Sequence, residues 1–206
     1  MPRTVDHDQR RARIADALVR LAAREGLPAV TMRAVAAEAG VSLRLVQYYF
    51  ESKGQLMHAA LRHLERRGHE RWLARLARLP DPPPARAFVE ALLAEALPAD
   101  GERRAFHLVW TSYAVLAMTD PELAAQPFVE GPNRVERQVA DALRRAGAAG
   151  ELVAGADPAT EAARLLALNH GLGTSVLVGQ RTPEAAEAVL RYHLDRLFTP
   201  PSRQPG

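Results

Sequence analysis

The chain has no cysteine among its 206 residues, which removes disulfides, thiolate metal ligands and cysteine nucleophiles together. Lysine is nearly absent too. Lys53 is the sole lysine among 27 basic side chains, and Ala and Pro are abundant, so the wealth of arginine carries no message about phosphate by itself. No apolar run approaches the ~20 residues that a membrane span needs. The first residues alternate Arg3, Asp6, Asp8, Arg10, Arg11 and Arg13, unlike the charged-then-apolar layout of a signal peptide. These absences lead us to expect a soluble cytoplasmic protein with no membrane partner. There is no Gly-rich phosphate loop, nucleophile elbow or paired metal-ligand motif, and the seven histidines never fall at i, i+4 around a carboxylate. We therefore expect no enzyme, no cofactor and no metal. His58, His63 and His69 read as solvent-facing positions along one helix.

What is present is helical. Apolar residues are 48% of the chain, enough for a folded core, and period-two alternation is missing throughout. Ile14, Leu18, Leu21 and Ala22 give a first helix one apolar face, with Gly26 after its last turn. Thr31 is placed to cap a short second helix carrying Met32, Val35 and Ala36 inward, which Gly40 ends. Ser42 is placed to cap a third helix through Phe50. Ser52 and Gln55 have capping-box spacing and open a fourth helix towards Pro80. Asp81-Pro82-Pro83-Pro84 reads as a linker. Further helices are expected over 85–97, 102–118, 134–145, 158–178 and 183–198, with a short or broken one from Pro121. Asp120-Pro121, Asp157-Pro158 and Thr182-Pro183 all pair an N-cap with proline at the first helical position. The expected fold is all-α, with a helix-turn-helix domain over 1–54, a larger helical domain over 55–199, and a disordered tail over 200–206.

The stretch from Thr31 to Phe50 is the part with a mechanism. Two short helices joined by a glycine-containing turn are the layout of a helix-turn-helix, whose second helix enters the major groove of DNA. On that helix Val41, Val46 and Phe50 suit the core, leaving Ser42, Arg44, Leu45, Gln47, Tyr48 and Tyr49 on or near the outer side. Arg44 has the geometry for guanine O6/N7 and Gln47 for adenine N6/N7. Leu45 suits a thymine methyl or ordinary packing. Tyr48, Tyr49, Thr31, Arg33 and Lys53 are placed for phosphate oxygens. Residues 1–54 hold nine basic and six acidic side chains, so the whole net charge of +3 lies there, facing in principle a polyanion. Arg10, Arg11 and Arg13 read either as a minor-groove arm or as a solvated face.

In register, Thr31, Val35, Ala36, Ala39, Gly40, Val41, Ser42, Tyr49, Phe50, Ser52, Lys53 and Leu56 resemble the DNA-binding signature of the TetR family. Arg44, Leu45 and Gln47 depart from its commonest residues, so the operator sequence does not carry over. The resemblance implies a homodimer on a near-palindromic double-stranded operator, with repression released by a small-molecule effector. Two other readings stay open: a helical ligand-binding or interaction protein without DNA affinity, and an activator.

If the resemblance holds, the residues beyond Leu56 bind the effector and dimerise. Phe106, His107, Trp110, Tyr113 and Met118, with Asn169 and His170, are the candidate effector contacts; ordinary core is the alternative for the aromatics. Leu165, Leu168, Leu172 and Val176, with Val189, Tyr192 and Leu197, form the candidate dimer face. Packing within one chain explains that pattern equally well.

Overall fold

The computed structural model describes residues 3–26 and 29–199; the tail expected over 200–206 lies outside them. The fold is all-α. The helices are α1 (Arg3–Glu25), α2 (Met32–Ala39), α3 (Leu43–Tyr49), α4 (Lys53–Leu76), α5 (Ala85–Glu95), α6 (Gly101–Ala117), α7 (Pro121–Ala124), α8 (Glu130–Ala148), α9 (Pro158–Leu177) and α10 (Pro183–Leu197). Among the described residues there is no strand, only an isolated antiparallel bridge between Leu152 and Phe198. None of the described helices is long and apolar enough to cross a membrane.

The helix starts follow from their caps. Thr31 Oγ1 accepts the Ala34 N–H at 3.1 Å, and Ser42 Oγ accepts the Leu45 N–H at 3.1 Å. Ser52 Oγ accepts from Gln55 N at 3.2 Å, while Gln55 Oε1 accepts from Glu51 N at 3.2 Å, a capping box shifted one residue outward on its return side. Asp120, Asp157 and Thr182 cap α7, α9 and α10 with proline just behind them. Between α2 and α3 the chain reverses at Gly40, whose φ of 66° is strained for any residue with a Cβ. Helix α5 ends at Glu95, two residues before the predicted 97, and α8 is longer than expected, Glu130–Ala148 against 134–145. Pro132 falls in its first turn, where the missing N–H would have no intrahelical partner anyway.

The described chain packs as two compact units. Residues up to His69 together with Pro98–Phe128 form the first, and Glu70–Leu97 together with the residues from Val129 onward form the second. The first unit's core joins Ile14 and Leu18 of α1, Val35 of α2, Val46 and Phe50 around α3, Leu61 of α4 and Tyr113 of α6. The second is built on Trp72, Leu93, Leu143, Leu165 and Leu194. Four residues of the expected dimer face belong to that second core: Leu165, Leu172, Val176 and Leu197 are buried within their own chain. The single chain already removes these side chains from water, so they present no surface to a partner. Leu168 and Val189 are half-buried and Tyr192 stays 50% exposed.

Leu143 is wholly buried and Val115 is 55% exposed. Leu143→Ala is expected to lower unfolding stability in urea by about 2–5 kcal/mol through the cavity it leaves. Val115→Ser should change it by less than about 0.5 kcal/mol; equal effects would contradict this packing.

Candidate nucleic-acid interface

Helix α3 has two unlike faces. Val46 and Phe50 are fully buried in the first core, while Arg44, Gln47 and Tyr48 are exposed, Tyr48 at 71%. Leu45 is half-buried and leans on the core edge. Thr31, Arg33 and Ser42 are exposed before the two helices, and Lys53 is exposed at the first position of α4. The predicted outward residues therefore surround one end of a buried-backed helix, with one exception. Tyr49 is buried, and its hydroxyl meets His7 Nδ1 at 3.1 Å, because its place on α3 turns it back towards α1. It anchors the helix from behind and is not on the outer side.

Helix α1 holds this pair of short helices at two points. Arg11 donates to the Tyr49 carbonyl at 3.2 Å, and its guanidinium lies 4.8 Å from the centre of the Phe50 ring. It thus satisfies a carbonyl that the end of a helix leaves open. At the other point Arg20 and Arg24 bond Glu38 of α2 at 2.9 and 2.8 Å. Hydrogen bonds from Arg24 and then Arg20 hold the Glu38 carboxyl below the usual carboxylate range. The minor-groove arm does not form: Arg10, Arg11 and Arg13 lie within the regular helix α1, and Arg11 is occupied by α3.

Behind the reading helix, His63 is not the solvent-facing residue expected. Its side chain is mostly buried and its Nε2 lies 2.7 Å from Asp16 Oδ1. Arg67 pairs with Glu102 of α6 at 2.7 Å. These contacts tie α4 to α1 and α6 within the first unit.

The candidate effector residues divide between the units. Phe106, His107, Trp110 and Tyr113 lie on α6 in the first. Tyr113 is fully buried, its ring 5.0 Å from Phe128, and its hydroxyl donates to the Leu123 carbonyl at 3.3 Å; burial, then Asp120, raises its pKa. Met118 caps α6 and is 80% exposed, outside that cluster, because it follows the last turn. Asn169 and His170 lie on α9 in the second unit. Asn169 is buried, its Nδ2 donates to the Leu93 carbonyl at 3.3 Å, and its Oδ1 has no hydrogen-bond partner. Burial, partly opposed by Glu136, lowers the His170 pKa. Phe128, which sequence periodicity did not single out, joins the aromatic group through the loop after α7.

Two outcomes follow. Arg11→Met should reduce thermal stability by about 1 kcal/mol through loss of the carbonyl contact, and Arg11→Lys should not restore it, because an ammonium lacks the planar fork. For His170 the folded pKa lies below the unfolded value near 6.5, so the unfolded chain binds the proton first. Its contribution is full above that value and is lost as pH falls through it. His170→Gln should flatten the decline in melting temperature between pH 7 and 5; an unchanged slope would contradict this burial.

Comparison with known proteins places this geometry. Residues 14–60 match bacterial regulatory proteins of the tetR family, and residues 84–199 match the BetI-type transcriptional repressor C-terminal family. The regulator PksA of Bacillus subtilis is 24% identical over 206 residues, covering 99% of this chain and 97% of that protein. The regulator BetI of Burkholderia lata is 31% identical over 127 residues, covering 60% of this chain and 62% of that protein. A transcriptional regulator of Saccharomonospora viridis, solved in complex with choline, is 26% identical with a TM-score of 0.82, covering 94% of this chain and 100% of that one. The matched helix-turn-helix and the matched C-terminal region together establish that this chain belongs to the TetR family of DNA-binding transcriptional regulators.

Proposed function

We propose that the protein is a cytoplasmic repressor that binds a near-palindromic operator as a homodimer and is released by a small organic cation. The observation that carries this reading is the outward set Arg44, Gln47 and Tyr48 on a helix whose other face is locked into the core. In the major groove Arg44 pairs with guanine and Gln47 with adenine, and Leu45 lies beside a thymine methyl. Thr31, Arg33, Ser42, Tyr48 and Lys53 hold phosphates. Residues 1–54 then serve as the reading domain and residues 55–199 as the effector and dimerisation domain. Two such heads related by a two-fold axis match a palindrome.

For dimerisation the support is the apolar surface left uncovered on the last two helices. Tyr192 is half exposed under a stacked Arg196, 3.5 Å from its ring centre, and Val178 is 73% exposed at the end of α9. For the effector, the S. viridis relative holds choline, and a quaternary ammonium binds over aromatic faces. Phe106 and Trp110, half-buried against the core that holds Tyr113, are the rings we assign to it. Release follows if the bound cation favours a spacing of the two heads that cannot engage both half-sites.

A mobility-shift assay with the DNA upstream of its own gene tests this. A saturable, salt-sensitive complex is expected, weakened by added choline. Arg44→Ala should weaken specific binding by about 5- to 150-fold while leaving nonspecific binding nearly intact, the effect of losing one bidentate base contact of ~1–3 kcal/mol. Trp110→Ala should raise the choline needed for release at least about tenfold. Tyr192→Asp should shift the dimer towards monomer in analytical ultracentrifugation. No DNA complex at low salt would sink the reading, and a complex indifferent to choline would remove the effector class.

A further inference from the structure

Within the first unit, α1 and α4 diverge to leave an open cleft of about 840 Å³. Neither the reading of DNA nor the effector cluster on α6 uses it. Its floor is made of small residues, Ala12 and Ala15 on α1 and Ala59 on α4, so nothing bulky fills it. Its walls are basic on both sides: Arg11 stands on α1, Arg62 and Arg66 on α4, and Asp8 is the one carboxylate lining it. Amide side chains of Gln9 and Gln126 also line it, while the amide of Gln55 is engaged by Glu51.

The arginine furthest along α4, Arg66, is exposed and meets one side chain of its own helix. Asp16 Oδ1 lies 2.7 Å from His63 Nε2, and Arg66 lies 3.4 Å from His63 Nδ1. Asp16 fixes the imidazole with its proton on Nε2, so Nδ1 is left to accept from the guanidinium. That contact uses one of the five N–H donors of Arg66, and the Tyr49 carbonyl uses one of Arg11's. Both guanidiniums keep donors for an oxyanion, in the fork geometry that phosphate takes. DNA is a poor occupant here. The cleft's near end, at Gln55, adjoins the first turn of α4, but Arg66 lies 13 residues beyond Lys53, about 20 Å further along the helix axis, out of reach of DNA held on α3.

We propose that the α1–α4 cleft binds a small, multiply charged oxyanion, such as a metabolite bearing a di- or triphosphate. Its ligand is distinct from the effector at the aromatic cluster. An anion gripped from both walls resists separation of α1 from α4, the two helices that frame the reading head, so its binding and operator affinity are thermodynamically linked.

The test uses the full-length protein without DNA and inorganic pyrophosphate as the probe, titrated calorimetrically at constant ionic strength. Saturable binding is expected. Arg66→Ala and, as a second variant, Arg62→Gln should weaken it at least about tenfold with an unchanged circular-dichroism spectrum, and Arg44→Ala should leave it unaltered. Pyrophosphate should also shift operator affinity in the wild type and lose that effect in Arg66→Ala. Absence of saturable binding overturns the proposal. Loss in Arg44→Ala or Lys53→Ala as large as in Arg66→Ala puts the anion on the DNA surface and overturns it too. So does a drop in operator affinity of Arg66→Ala, in phosphate-free buffer, as large as its drop in pyrophosphate affinity, because the cleft would then be a track for the DNA backbone.

Discussion

A seven-residue helix has too few internal hydrogen bonds to offset its own nucleation. Helix α3 therefore stands only because Val46 and Phe50 are sealed into the core of the first unit and Tyr49 is bonded from behind. That burial also sets which residues look outward. Once Val46 and Phe50 point in, the 3.6-residue period leaves Arg44, Gln47 and Tyr48 on the free face. Arg11 completes the arrangement by taking the Tyr49 carbonyl. A rigidly backed reading face is what base discrimination requires, since a side chain that wavers contributes little to choosing between bases.

Charge in the N-terminal part is sorted by this packing. Arg20 and Arg24 are engaged by Glu38, and Arg11 by the end of α3. These arginines hold the head together. Arg33, Arg44 and Lys53 remain exposed around α3, the cations our proposal assigns to DNA. A small formal excess thus becomes a directed one, because structural pairing removes the positive charges that point elsewhere. The chain from Asp16 through His63 to Arg66 does the reverse along α4, using a half-buried carboxylate–histidine pair to hold a cation at an open cleft.

Much of the local structure was legible in the residues. Thr31, Ser42, Asp157 and Thr182 cap the helices their spacing announced, since capping depends on residues three positions apart and on little else. The turn at Gly40 was legible for the same reason. The start of α8 was not: the Pro127, Gly131 and Pro132 cluster reads as a break, yet Pro132 is tolerated within the first turn. Tyr49 looked like a second phosphate donor beside Tyr48. One step along a helix rotates a side chain by about 100°, enough to move Tyr49 from the groove side to His7. His63 gave no hint of Asp16, 47 residues away.

The sequence by itself determined the helical class, the capped helix starts and the helix-turn-helix motif, because each rests on interactions among near neighbours and on a periodic apolar pattern. It also brought Arg44, Leu45 and Gln47 to notice as the positions of the third helix that depart from the family's commonest residues. Only the tertiary structure decided what the apolar faces are for. Periodicity says that a face is buried and not against what, so Leu165, Leu172, Val176 and Leu197 fit a dimer seam as sequence, whereas the fold buries them in the second core of their own chain. The same holds for the basic cleft between α1 and α4. Its arginines are scattered along two helices, and they form one surface only once the fold sets α1 and α4 on opposite sides of the cleft.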